Sequence, residues 1–298
     1  MKRPRPTPER TAVAPATYTV NCSILFTDLP PLSRPAAAKE AGFEAVEFWW
    51  PFTSPVPPDA DVDAFIRAVR DAGVQLSGLN FAAGDMAAGD RGLTSNPAAV
   101  NAFRDNVHIA VGIGEALGTR AFNALYGNRL PGVTTTMQDD VAVENLAFAA
   151  QAAQRIGATV LVEPVSGVPQ YPIKTFADAV AVIDRVRDAA GRANLRVLAD
   201  LYHLHVNGDD VAGALRSHTH RVGYVQIADA PGRGEPGSGD IPLGDYLGTL
   251  LDHGYSDYIG LEYKPSRANT FDWLPPADRG HGGVNITSLP TPAGTRNQ

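Results

Sequence analysis

From residue 18 onward, short apolar runs alternate with segments whose apolar residues recur every three or four positions. The runs at 18–26, 45–50, 75–81, 120–126, 159–163, 195–200, 222–227 and 258–262 are rich in β-branched and aromatic residues. Several are almost continuously apolar, as parallel strands covered on both faces must be. The segments between them read as amphipathic helices. Over 59–72 the residues Val62, Phe65, Ile66 and Val69 fall on one stripe. Similar stretches cover 97–117, 138–156, 175–190, 209–216 and 243–253. Gly73, Gly118, Gly157, Gly191 and Gly254 each follow one of these helices and mark its stop.

Eight strands interleaved with helices predict an α/β protein built as a single (β/α)8 TIM barrel. The chain has 298 residues, and such a barrel needs about 250. An open doubly wound sheet would carry a glycine-rich phosphate loop after its first strand; this chain has TDLPPLSRP there. Gly112, Gly114 and Gly118 lie inside a predicted helix and do not form such a loop. We place the barrel domain at 18–272, with a proline-rich leader at 1–17 and a loosely ordered tail at 273–298.

Composition narrows the function. Hydrophobic residues make up 44% of the chain, enough for a large core, and the net charge of −7 argues against a general nucleic-acid or membrane-surface binder. No stretch has the length and apolarity of a membrane span. The lone cysteine, Cys22, sits in an apolar run and excludes an internal disulfide framework. We read it as a buried small hydrophobe in a reducing, cytoplasmic protein.

Four consecutive strands end in residues foreign to an apolar core. Strand five (TVLVEP) ends on Glu163, and strand six (RVLADLYH) brings Asp200 and then His203. Strand seven (VGYVQIAD) carries Gln226 and Asp229, and strand eight (YIGLEYKP) brings Glu262 and Lys264. Barrel active sites form at the C-terminal ends of strands, so three carboxylates and an amide converge on one mouth. Crowded carboxylates repel, so either some are protonated or a cation sits among them. An all-oxygen set suits one divalent ion of the Mg²⁺ or Mn²⁺ kind. Taken singly, each acid could instead cap a loop or pair with a nearby Arg or Lys.

The segments VLVEPVSG, LADLYHLH, VGYVQIADAPGRGEPGSGDI and GLEYKPS resemble the hydroxypyruvate isomerase family, within the xylose-isomerase-like TIM barrels. GFEAVEFWWPF and LNFAAGDMAAGDRG extend the resemblance, which runs from about Tyr18 to Pro265. Many barrels of the wider group carry His where Gln226 stands, so Gln226 points to the hydroxypyruvate isomerase branch. Some members have His before the strand-three Asn, where this chain has Leu79 before Asn80; that departure concerns substrate choice.

The resemblance implies that Glu163, Asp200, Gln226 and Glu262 are the metal ligands and that Glu163 and Glu262 also exchange the proton. It implies that His203 and Arg233 contact the substrate's reacting oxygens. Lys264 is a candidate for the substrate carboxylate. The expected reaction converts hydroxypyruvate to tartronate semialdehyde through an enediolate, placing the chain in carbohydrate and glyoxylate metabolism. A 2-oxo-tetronate isomerase or ketose 3-epimerase on the same scaffold is the alternative, and a catalytically silent binding barrel is a third reading. The expected partner is a small keto or hydroxy acid, with no nucleic acid and no membrane; a homo-oligomer is left open.

Other residues read more simply. Glu47 is expected to hydrogen-bond inside the barrel or to orient Arg233 or His203, and Trp49 and Trp50 to wall the pocket or pack in the core. Glu235 reads as a loop residue. Asp85 and Asp90 read as shaping a loop over the mouth that Gly84, Gly89 and Gly92 free to move. His205, His218, His220 and His253 are scattered, and Ser166 lacks a nucleophile-elbow pattern.

Overall fold

The computed structural model describes residues 16–280, 283–286 and 289–290. Eight parallel strands close on themselves in sequence order: β1 (Thr17–Asn21), β2 (Ala45–Phe48), β3 (Gln75–Asn80), β4 (Ala121–Asn123), β5 (Thr159–Val162), β6 (Leu195–Asp200), β7 (Val222–Ile227) and β8 (Tyr258–Leu261). β8 pairs with β1 to complete the barrel, from Thr17 opposite Tyr258 to Val20 opposite Leu261. The predicted (β/α)8 barrel is the observed fold.

The outer ring consists of α1 (Arg34–Glu40), α2 (Asp59–Ala72), α3 (Val100–Leu117), α4 (Thr135–Gln154), α5 (Phe176–Ala190), α6 (Leu201–Val206), α7 (Val211–His218) and α8 (Leu243–Asp252). α2 buries Phe65 and Val69 and ends at Gly73, whose φ of 65° is the left-handed geometry that glycine takes without strain. Thr175 opens α5 with a capping box to Asp178. Gly112 and Gly114 lie within α3, and a Cβ at Gly114 would come 2.4 Å from Phe122. That glycine therefore serves helix-to-barrel packing.

Some predicted boundaries move. β1 stops at Asn21, five residues early. Its apolar continuation, including buried Cys22 and Leu25, leaves the sheet in a turn that ends at Phe26 with φ 59°. β4 is three residues long. The sequence pattern missed α1, a single proline-containing piece, and α6, which follows Asp200 without a loop. Ala16 is buried, as are Trp273 and Leu274 past residue 272. Residues 1–15 of the leader, and 281–282, 287–288 and 291–298 of the tail, lie outside the described residues.

Residues two apart on a strand share a face, and this sets the height of the site. Ala121, Leu161, Leu198 and Tyr224 pack together inside the barrel as an apolar layer. Gly78 leaves room for the Tyr224 phenol, which a Cβ there would approach to 3.3 Å. Two residues on along each strand stand Asn123, Glu163, Asp200 and Gln226. The layer above the plug is therefore polar and faces the C-terminal mouth.

Candidate active site

Burying this polar layer requires partners, and the structure supplies them. Asp200 is the N-cap of α6: its Oδ1 accepts from the backbone N–H groups of Tyr202 (2.9 Å) and His203 (3.1 Å). The cap turns the chain so that His203 follows directly into the mouth and leaves Oδ2 free for the site. That oxygen lies 3.6 Å from His203 Nε2 and 3.3 Å from Arg233 Nη2.

Glu262 accepts from Asn21 Nδ2 at 3.1 Å, from Trp49 Nε1 at 2.5 Å and from Arg233 Nη2 at 2.5 Å. Glu163 is held more loosely, by Asn123 Nδ2 at 2.6 Å. Its backbone carbonyl accepts from the Tyr171 hydroxyl at 2.9 Å, which fixes the end of β5. Gln226 donates through Nε2 to Glu47 at 2.8 Å, and its buried Oε1 has no hydrogen-bond partner.

The electrostatics follow from burial. Glu163 lies well above the ordinary carboxylate range because it is desolvated and because Glu262 and Asp200 are close. Burial also raises Asp200 and Glu262, with the Arg233 charge opposing in both cases. Burial pulls the Arg233 guanidinium down, and the neighbouring carboxylates, Glu262 foremost, more than offset this. Burial pushes the His203 imidazole down to about 3, aided by the Arg233 charge, so the ring is neutral. Its Nδ1 accepts the Ser166 backbone N–H at 3.1 Å, which places the ring proton on Nε2, facing Asp200 and the cavity. His203 is thereby a donor.

Arg233 is presented by a built loop after β7. Asp229 is buried and accepts the backbone N–H groups of Ala230 (2.9 Å), Ile241 (3.0 Å) and Gly237 (2.8 Å). Arg233 itself has φ 60°, an uncommon geometry for a non-glycine residue. Its guanidinium stacks over Tyr202 at 5.5 Å. Glu235, expected in a loop role, accepts from Ser266 N (2.8 Å) and Thr270 Oγ1 (2.9 Å), tying this loop to the one after β8.

Glu163, His203, Arg233, Glu262 and Lys264 line one cavity of about 440 Å³. Lys264 is exposed, and its backbone N–H donates to Arg233 O at 2.7 Å. Of the two roles expected for Glu47 the structure shows the first: it hydrogen-bonds inside the barrel, to Gln226 and Asn21, rather than to Arg233 or His203. Trp49 joins the site through Glu262. Asp90 Oδ2 accepts from Asp85 N, and Asp85 Oδ1 from Ala87 and Ala88, so these acids shape the loop as expected. His218 stacks on Phe176 and His253 bonds back to Thr249 O, both outside the cavity.

Ligand atoms of Glu163, Asp200 and His203 lie within 4.8 Å of one another; with the His203 proton on Nε2, the two carboxylates are the members of this cluster that could reach an ion. The oxygen donors fit a hard divalent ion, and the unpartnered Gln226 Oε1 is what such an ion would satisfy. The sequence reading missed Asn21 and Asn123, the residues that hold Glu262 and Glu163. Each stands two residues past an inward-facing position of its strand, Thr19 or Ala121, a register that the closed barrel makes visible.

Comparison with known proteins agrees with this geometry. The family model described as xylose isomerase-like TIM barrel matches residues 35–280. A putative hydroxypyruvate isomerase of Streptomyces coelicolor is 49% identical over 269 residues, spanning 88% of this chain and 96% of that protein. The hydroxypyruvate isomerase of Escherichia coli is 31% identical over 87% of this chain and 98% of its own. The 2-oxo-tetronate isomerase of Cupriavidus necator is 35% identical over 87% and 97%.

Proposed function

Because this chain is an isomerase of the hydroxypyruvate isomerase family, among the xylose isomerase-like TIM barrels, we propose that it interconverts hydroxypyruvate and tartronate semialdehyde with one bound Mg²⁺ or Mn²⁺. The observation that carries the reading is the convergence of Glu163 and Glu262, from β5 and β8, on one cavity with the His203 N–H donor. Glu163, Asp200, Gln226 and Glu262 would hold the ion. When bound, it supplies positive charge that acidifies the C–H beside the carbonyl and stabilises the developing enediolate.

The reaction breaks one C–H bond at C3 of hydroxypyruvate and forms one at C2. Glu163, held by one N–H donor, is freer to change protonation state than Glu262, which accepts from three groups. We assign the transfer from C3 to C2 to this pair, one carboxylate taking the proton and the other, in its protonated form, returning one, while the O3 hydroxyl proton passes to O2. His203, neutral and protonated on Nε2, donates to the substrate oxygen that becomes negative. Arg233 keeps Glu262 and Asp200 in place, and in this reading its remaining N–H groups serve the same oxygens.

A four-carbon 2-oxo-tetronate is the second reading. A neighbouring cavity of about 520 Å³, walled by Trp50 and Phe52, shares Trp49, Asn80 and Met86 with the first and gives a longer acid room. Conversion is followed by NMR with MgCl₂ or MnCl₂, after EDTA, and after restoring the ion. Hydroxypyruvate should be converted only with metal. Conversion of a neutral ketose but not of either keto acid would overturn the reading.

A further inference from the structure

Resting on the reading of a keto-acid substrate, we infer that Arg91 holds the substrate's carboxylate. Glu163 and Glu262 line the cavity, with Asp200 close beside them, so an anionic substrate needs a cation of its own. Arg233 is already engaged. Its Nη2 serves both Asp200 and Glu262, and its Nε donates to Glu262 O at 3.2 Å. Binding a further carboxylate there would weaken its hold on Glu262.

Two other cations line the same cavity, Arg91 and Lys264. Lys264 is an exposed ammonium on a flexible stem. Arg91 is half-buried, and its Nη1 donates to the carbonyls of Asp90 (2.6 Å) and Met86 (3.0 Å). Among the described residues it has no carboxylate within ion-pair distance. One nitrogen thus fixes the plane of the guanidinium, and Nε and Nη2 remain as a preset fork for a carboxylate.

The position of Arg91 adds a consequence. It stands between Gly89 and Gly92, at φ 108° and 117°, on the loop that also brings Met86 and Ala87 to the cavity. Gly92 is pressed against the β4–α4 connection, where a Cβ would sit 2.0 Å from Leu125 O. Asn128 Nδ2 braces Gly89 O from the same side at 2.9 Å. A carboxylate on Arg91 therefore fixes this loop over the reacting carbons.

The test compares hydroxypyruvate with dihydroxyacetone, which carries a hydroxymethyl group in place of the carboxylate, on metal-loaded wild type, Arg91→Met and Arg91→Lys. Arg91→Met should raise KM for hydroxypyruvate by about 10- to 100-fold and change kcat far less, with Arg91→Lys between. KM or Ki for dihydroxyacetone should move less than about threefold, a contrast that a loop brace alone would not give. Equal losses for both ligands, or no change for hydroxypyruvate, would overturn the assignment. If wild type turns over neither compound, the isomerase reading fails. Calorimetry of D-glycerate against glycerol then decides on Arg91: loss of the glycerate preference in Arg91→Met supports the assignment, and an unchanged preference refutes it.

Discussion

Glu47→Gln makes the electrostatics of the barrel interior measurable. Glu47 is buried, and its Oε1 accepts from Asn21 Nδ2 at 2.9 Å and Gln226 Nε2 at 2.8 Å. Burial, with the nearby Glu262 charge adding, pushes it from 4.5 up to about 8. The folded protein therefore holds a proton at pH 7 that the unfolded chain has released. Stability falls wherever the folded state binds more protons, so this contribution is complete below pH 4.5 and is lost by about pH 8. The loss is on the order of 5 kcal/mol, with a slope of at most about 1.4 kcal/mol per pH unit.

A glutamine mimics the protonated form. Its Oε1 keeps both acceptor roles, and its amide can donate to Tyr224. The Tyr224 hydroxyl can in turn donate to Ser77 Oγ at 2.8 Å, and Ser77 to Val46 O at 3.0 Å. Urea unfolding of both proteins in EDTA, from pH 5 to pH 9, reads the difference. Glu163, Asp200 and Glu262 titrate in both and largely cancel. The variant should gain on the wild type as pH rises, by several kcal/mol at pH 9. A difference that does not change with pH would refute the buried, protonated Glu47.

Three further outcomes follow from the site. Arg233→Met removes the cation that neutralises buried Asp200 and Glu262 and should cost about 3 kcal/mol of metal-free stability at pH 7; thermal melts with added MgCl₂ should recover part of it. Gly260→Ala would place a Cβ 2.7 Å from Glu47 Oε1 and 2.9 Å from Gln226 Cγ, so calorimetry should show divalent-ion affinity about tenfold weaker. Tyr171→Phe leaves the Tyr126 N–H and the Glu163 carbonyl without the hydroxyl that joins them; urea unfolding should register about 1–3 kcal/mol.

The fold was legible because its signals are periodic. Leu195–Asp200 and Val222–Ile227 have the bounds that apolar continuity predicts, and α2 has the bounds predicted for it, with Phe65 and Val69 of its stripe buried. β1 was overextended because buried residues in a turn, Cys22 and Leu25, are as apolar as strand residues. α1 and α6 are too short to show a helical period. At the mouth, carboxylates on apolar strands stood out because burying them is costly. Asn21, Asn123 and Arg91 did not, since a neutral amide or a loop arginine is ordinary in any chain; only the closed barrel brings them beside Glu262, Glu163 and the cavity.

The central claim is that Glu163 and Glu262 exchange a proton with a small keto acid. The direct measurement is deuterium incorporation into hydroxypyruvate in D₂O, by NMR against a protein-free control, with Mg²⁺-loaded wild type, Glu163→Gln and Glu262→Gln. Wild type should label C3 of hydroxypyruvate and C2 of the aldehyde product, and each variant should be slower by about 10²- to 10⁴-fold. Exchange at near wild-type rate in either variant, or no labelling by wild type above the control, would contradict it.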